Sequence, residues 1–229
     1  MKGRVAIVAG GTGALGQSVT SRLVSLGATV CIPYVVPAEL DTLKTRLGVA
    51  ATHLYAQHAD VTSEGDFEGF LRGVLDAHRR VDILVNGVGG FAGGDLASTS
   101  LADWDRMLAL NLRSAVIGCR AVLPTMTAAR FGRIVNISSR AVLPPAGGFI
   151  AYTVAKAGVI TLTQALAREA PRGITVNAVV PSTMDTPANR QAMPDADRSG
   201  WVSTEAVAEV IAYLASDAAG MVSGASLPV

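Results

Sequence analysis

Short apolar and β-branched runs recur along this chain, and most of them do not alternate with polar residues. Arg4–Ala9, Ala28–Tyr34, Leu54–Ala59, Ile83–Val85, Arg133–Ile137 and Ile174–Val180 are of this kind, and Ala225–Val229 adds a seventh. A strand that is apolar at successive positions has to be covered on both faces, as a parallel strand inside an α/β sheet is. Helical patterns fill the gaps at Leu15–Leu26, Ala38–Leu47, Glu64–Ala77, Leu101–Met126, Ala151–Arg168 and Thr204–Ala215. Gly27 reads as a helix stop, and Thr204 with Glu205 as a helix start. The alternation predicts an α/β fold, a Rossmann-type doubly wound parallel sheet of about seven strands flanked by helices. No repeat, low-complexity tract or Pro/Ser-rich linker divides the 229 residues, so residues 1–229 read as a single domain.

Composition removes several classes of function. A formal charge of +1 without a basic block argues against a nucleic-acid surface. Half of the residues are hydrophobic, yet the apolar runs end at glycines well short of the roughly 20 residues a membrane span requires. Met1-Lys2-Gly3-Arg4 enters a strand at once, which leaves no room for a signal peptide. Cys31 and Cys119 lie in separate apolar segments and read as reduced, buried thiols, in keeping with a cytoplasmic protein. Neither they nor His53, His58 and His78 have metal-ligand spacing, so no metal site is expected.

Ligands of such sheets sit beyond the carboxyl ends of the strands, where this chain keeps its unusual residues. Ala9-Gly10-Gly11-Thr12-Gly13-Ala14-Leu15-Gly16 joins the first strand to the first helix. Glycines there allow close approach of backbone to a phosphate, and the helix N-terminus offers free N–H groups; the context favours dinucleotide binding over a simple tight turn. The end of the second strand, Pro33-Tyr34-Val35-Val36-Pro37, has neither the acid that binds a ribose 2′-hydroxyl nor an Arg for a 2′-phosphate. The cofactor is therefore NAD(H) or NADP(H), undecided. Tyr34 either stacks on adenine or packs at the strand end. Asp60-Val61, after the third strand, offers a carboxylate to the adenine amino group or caps the helix starting near Ser63. Asn86-Gly87-Val88-Gly89-Gly90 has residues small enough for a flat ring to lie against backbone. Asn111 is disfavoured inside a helix; it bonds a neighbouring backbone, holds a water, or bends the helix near Lys156. Asp185–Gly200 is polar and aperiodic, and reads as a functional loop or lid.

Tyr152 and Lys156 stand four apart on one helix face, with Ser139 thirteen residues before the tyrosine. An ammonium beside a phenol favours the phenolate and makes it a better proton carrier near neutral pH. A hydroxyl within reach would complete a cradle for a carbonyl oxygen.

Across essentially its whole length the chain resembles the short-chain dehydrogenase/reductase family. The motifs that carry the likeness are the glycine turn, Asp60, Asn86 to Gly89, Asn111, Ser139, Tyr152 with Lys156, and Pro181; Ala14 and Ser182 stand where the family usually has glycine. The resemblance implies an NAD(P)-dependent enzyme acting on a small carbonyl or alcohol substrate, with Tyr152 as general acid/base. Lys156 would lower the Tyr152 pKa and bind nicotinamide ribose, Ser139 would orient substrate, and Asn111 would anchor a proton-relay water. The dinucleotide would lie along Gly10, Thr12, Gly13 and Leu15, then Tyr34, Asp60 and Val61. It would continue past Asn86 and Gly87 to Pro181, Thr183 and Thr186, the last of these bonding the carboxamide. A homo-oligomer, usually a tetramer with helix–helix interfaces, is also implied. Residues 185–201, with Val35-Val36 and the glycine turn, are similar to dihydropteridine reductases, which implies a quinonoid dihydropterin as the alternative substrate. A cofactor-binding sensor without turnover is the remaining reading, and the intact Ser139, Tyr152 and Lys156 argue against it.

Overall fold

A computed structural model describes residues 1–229. Seven parallel strands form one sheet: β1 Val5–Ala9, β2 Thr29–Tyr34, β3 Leu54–His58, β4 Ile83–Asn86, β5 Gly132–Ile137, β6 Ile174–Val180 and β9 Ser226–Pro228. Their order is β3-β2-β1-β4-β5-β6-β9. The chain builds outward from β1 to β3, then crosses back to lay β4 on the other side of β1, so the switch point falls between β1 and β4. Register places Ala9 opposite Asn86, and the Gly87 N–H donates to the Ala9 carbonyl at 3.0 Å. The glycine turn and the Asn86-Gly87 turn thus leave the sheet side by side.

The apolar strands serve two cores at once. Ala6 and Val8 face one layer with Leu23, Ile32 and Ile211. Val5, Ile7 and Ala9 face the other with Phe67, Phe70, Val122 and Met126. Successive residues point to opposite faces, so two covered faces demand an apolar residue at every position. The first layer holds α1 Ala14–Ser25 and α8 Thr204–Leu214; the second holds α3 Glu64–His78 and α5 Ser114–Ala129. Phe67 and Phe70 are fully buried, each contributing about 2–3 kcal/mol by transfer from water. Cys31 and Cys119 are buried free thiols, and burial pushes both up to about 12, which keeps them protonated and unreactive.

Three expectations need correction. The helix read across Leu101–Met126 runs on to Ala129 but is not uniform: α4 Leu101–Leu108 passes through a π-helical turn at Ala109–Arg113 into α5. The loop read across Asp185–Gly200 is partly ordered into β7 Met184–Asp185 and α7 Pro187–Ala192, and β7 pairs with β8 Val202–Ser203 just beyond it. Thr186 caps α7 by accepting from the Asn189 N–H at 3.2 Å, and Arg190 holds Asp185 through two bonds of 2.5 and 2.7 Å. Last, Leu101–Ala129 and α6 Ile150–Glu169 are each long and apolar enough to cross a membrane. Both pack on the sheet, but only 33% of the apolar α6 window is buried, and Val116 and Val154 stand exposed.

Candidate active site

At the switch point the backbone has no room for side chains. Gly10 has φ +78°, and a Cβ there would lie 3.0 Å from the Gly87 carbonyl carbon and oxygen and from the Val88 nitrogen. A Cβ on Gly16 would overlap the Gly10 carbonyl oxygen. Ala14 is exposed, so its methyl is accommodated where the family has glycine. The N-cap of α1, Gly13, provides no side-chain cap, so first-turn N–H groups and the positive end of the helix are left for an anion. Leu15 is on this turn, but its side chain is in the core; only its backbone is placed for a phosphate.

A cavity of about 290 Å³ opens above the turn, lined by Gly10, Thr12 and Gly13 and, further along, by Tyr34, Asp60, Val61 and Gly87. These residues fit an adenine dinucleotide: glycine backbone and a helix N-terminus for the diphosphate, and a broad apolar slot for the base. Tyr34 lines the slot and packs edge-on against His58, ring centroids 5.8 Å apart. The cap of α3 is Ser63, not Asp60: the Ser63 Oγ accepts from the Asp66 N–H at 3.3 Å. Asp60 instead turns its own loop, Oδ1 accepting from the Thr62 N–H and hydroxyl at 2.8 Å each.

Asn86 turns inward rather than toward the cavity. Its Nδ2 donates to the Asn136 Oδ1 at 2.8 Å, and the Asn136 Nδ2 donates to the Thr163 Oγ at 2.9 Å. This buried polar ladder runs from β4 through β5 to α6. Asn136 and Thr163 are not among the residues expected at the site; their only signal in the sequence is a lone Asn in an apolar strand. Asn111 is also occupied: its Oδ1 accepts from the Gly90 N–H at 3.1 Å, and its Nδ2 donates to the Gly90 and Met107 carbonyls at 3.0 Å each. Of its three readings, the bond to neighbouring backbone is what its side chain makes, and the helix changes pitch there.

The two serines after β5 separate by role. The Ser138 hydroxyl donates to the Lys156 carbonyl at 2.8 Å, pinning α6, whereas Ser139 faces a second cavity of about 510 Å³ together with Tyr152. Phe91 and Phe149 pack against Tyr152 with centroids 5.2 and 6.2 Å away. Pro181, Thr183, Met184 and Met193 complete much of the wall, and Arg140 is its one charged residue. Phe149 is the N-cap of α6 and meets Tyr152 from outside the helix, where helical spacing does not report it. Thr186 lies in an adjacent cavity with Thr12 and Gly13; its capping oxygen is an acceptor, which leaves its O–H to donate.

Lys156 lies one turn behind Tyr152, 5% exposed, with Nζ donating to the Ile137 carbonyl at 2.8 Å. Burial pushes this ammonium down to about 8. Burial pushes the Tyr152 phenol above its ordinary value, and only Ser139 acts against it. The expectation that Lys156 lowers the Tyr152 pKa is not met in the free protein: burial holds the phenol up and the ammonium down, and Lys156 is not among the groups that lower Tyr152. What the arrangement provides is a phenol and a hydroxyl on one cavity wall, able to donate to or accept from the same oxygen.

A doubly wound parallel sheet with a glycine turn at its switch point and a Ser–Tyr–Lys set at the neighbouring strand ends defines a nucleotide-binding oxidoreductase. Residues 4–197 match the family model described as short chain dehydrogenase, and the chain belongs to the short-chain dehydrogenase/reductase family. It is 33% identical over 239 aligned residues to a (2S)-[(R)-hydroxy(phenyl)methyl]succinyl-CoA dehydrogenase subunit of Thauera aromatica, covering 100% of this chain and 96% of that one. It is 34% identical to an acetoacetyl-CoA reductase of Allochromatium vinosum, covering 99% and 96%. Among solved structures it resembles levodione reductase, with TM-score 0.93, 26% identity, and coverage of 100% of this chain and 96% of that chain. These relatives are dehydrogenases and reductases, and the protein is an oxidoreductase whose family uses a nicotinamide cofactor.

Proposed function

We propose that the protein interconverts a carbonyl compound and its alcohol with NAD(H) or NADP(H). The observation that carries this reading is the shared wall: Ser139 and Tyr152 face one cavity, with Lys156 buried a turn behind them. When bound, nicotinamide supplies or accepts the hydride. Ser139 donates to the carbonyl oxygen and orients it. Tyr152 delivers a proton to that oxygen in reduction and removes it in oxidation. Lys156 keeps a positive charge near the phenol at neutral pH. The Gly10–Gly13 turn and the α1 N-terminus hold the diphosphate, and the Thr186 hydroxyl donates to the carboxamide.

The Phe91, Phe149, Met184 and Met193 walls suit a substrate with a flat or apolar body, and Arg140 suits an anionic group close to the carbonyl. Coenzyme A derivatives named for two relatives are anionic carbonyl or hydroxy compounds of this general kind. A quinonoid dihydropterin would also be flat, but the relatives do not favour it. The exposed apolar residues of α4–α5 and α6 support a homo-oligomer, a tetramer by analogy with the family.

The test is a panel of ketones, ketoacids and quinonoid dihydropterin with each reduced dinucleotide, run on wild type and Tyr152→Phe. Ketone turnover that drops about 1,000-fold in the variant, with dinucleotide binding retained, supports the proposal. Undiminished turnover in the variant rejects it, and turnover of the pterin alone replaces the substrate.

A further inference from the structure

The end of β2 carries no acidic residue, so whatever holds an adenosine ribose must come from elsewhere. We infer that Glu39, in the first turn of α2 Pro37–Leu47, is that residue, and that it makes the protein select NAD(H) over NADP(H). This rests on the nicotinamide-dependent reading above and extends it to the choice of dinucleotide.

Glu39 is tied to the glycine turn: its Oε2 accepts from the Thr12 hydroxyl at 2.8 Å. The bond holds the carboxylate at the edge of the cavity that Gly10, Gly13, Tyr34 and Asp60 also line. Its other oxygen, Oε1, makes no hydrogen bond to the protein and is left as an acceptor for vicinal hydroxyls. The cavity wall contains no Lys or Arg. Arg46, in the neighbouring cavity beyond Glu39, is committed to Glu205 at 3.0 Å and Ser18 at 3.4 Å. Gly13, facing the same space, brings no side chain at all. A 2′-phosphate carries between one and two negative charges at neutral pH; here it would meet a carboxylate and find no free cation. Ribose hydroxyls meet an acceptor already fixed in place.

A purely structural Glu39 would favour the positive end of α2 and brace Thr12, and it would be indifferent to the 2′-position. Fluorescence titration of the full-length protein with NADH and with NADPH separates the two roles, using wild type, Glu39→Gln and Glu39→Lys, with thermal unfolding of each variant as the check on folding. The wild type is expected to bind NADH at least 10-fold more tightly than NADPH. Glu39→Gln should weaken NADH about 10-fold and close most of the gap, and Glu39→Lys should reverse the preference. Equal affinities in the wild type, or a preference for NADPH, overturn the inference without any variant. So does an unchanged preference in a variant that melts normally. Failure of the wild type to bind either dinucleotide is a separate result: it removes the nicotinamide reading itself, and this inference with it.

Discussion

Replacing Lys156 with methionine should stabilise the free protein at neutral pH, by an amount that shrinks as the solution becomes alkaline. The ammonium is 5% exposed and pushed by burial from an ordinary 10.5 to about 8. At about 1.36 kcal/mol for each pH unit between those values, the charged lysine costs the fold about 3 kcal/mol below pH 8. Between about 8 and 10.5 the unfolded chain still binds the proton and the folded chain does not, so wild-type stability rises through that window. Methionine matches the length without the charge; it also strands the Ile137 carbonyl, which gives back about 1 kcal/mol. The variant should therefore exceed wild type by about 2 kcal/mol at pH 7 and lose that advantage by pH 10. Urea unfolding followed by circular dichroism at pH 7, 8, 9 and 10, without dinucleotide, measures the difference. A stability difference that stays flat across this range, or grows toward pH 10, refutes the reasoning. The variant should have little turnover, so the buried charge is a case of stability surrendered at a functional position.

Ultraviolet difference titration of wild type against Tyr152→Phe should place the Tyr152 phenolate above the ordinary tyrosine range, and Ser139→Ala should move it higher still, because Ser139 alone acts against burial; movement downward would contradict that assignment. Gly89→Ala would bring a methyl to 2.7 Å from the Asn111 Oδ1 and 3.2 Å from the Lys156 Nζ. Steady-state assays should show turnover reduced 10-fold or more, with a stability loss of about 1–3 kcal/mol by overpacking. Arg140→Ala should raise KM at least 10-fold for carboxylate-bearing ketones and leave neutral ketones nearly unchanged; equal effects on both would remove Arg140 from substrate recognition.

Much of the architecture is legible because it is written locally. The apolar runs, the glycine turn and the Ser139–Tyr152–Lys156 spacing each sit in one stretch of chain, and periodicity reports them. The π-turn at Ala109–Arg113 is not, since one extra residue in an apolar helix hardly alters its pattern; the partner that Asn111 bonds there, Gly90, lies twenty-one residues upstream. The Asn86–Asn136–Thr163 ladder joins three elements that only the sheet order brings together. The order within 185–203 depends on the pairing of Met184–Asp185 with Val202–Ser203, across a stretch with no period of its own. Glu39 is not legible because its carboxylate reaches the glycine turn from the next helix rather than from the strand end. The pKa directions at Tyr152 and Lys156 turn on how completely each is enclosed, which spacing cannot report.

The ladder also fixes a heading. Thr163 lies seven residues after Lys156 and eleven after Tyr152; at about 100° per residue all three fall on one narrow stripe of α6, spread over roughly 16 Å of its axis. Gripped by Asn136 at one end and by the Ser138 hydroxyl near the other, the helix has a single azimuth about its own axis. An α-helix packed only by smooth apolar contacts could roll by some degrees without losing much contact area. Here a roll would break hydrogen bonds inside the protein, so Tyr152 is aimed by a toothed joint whose far tooth stands about three turns from the chemistry.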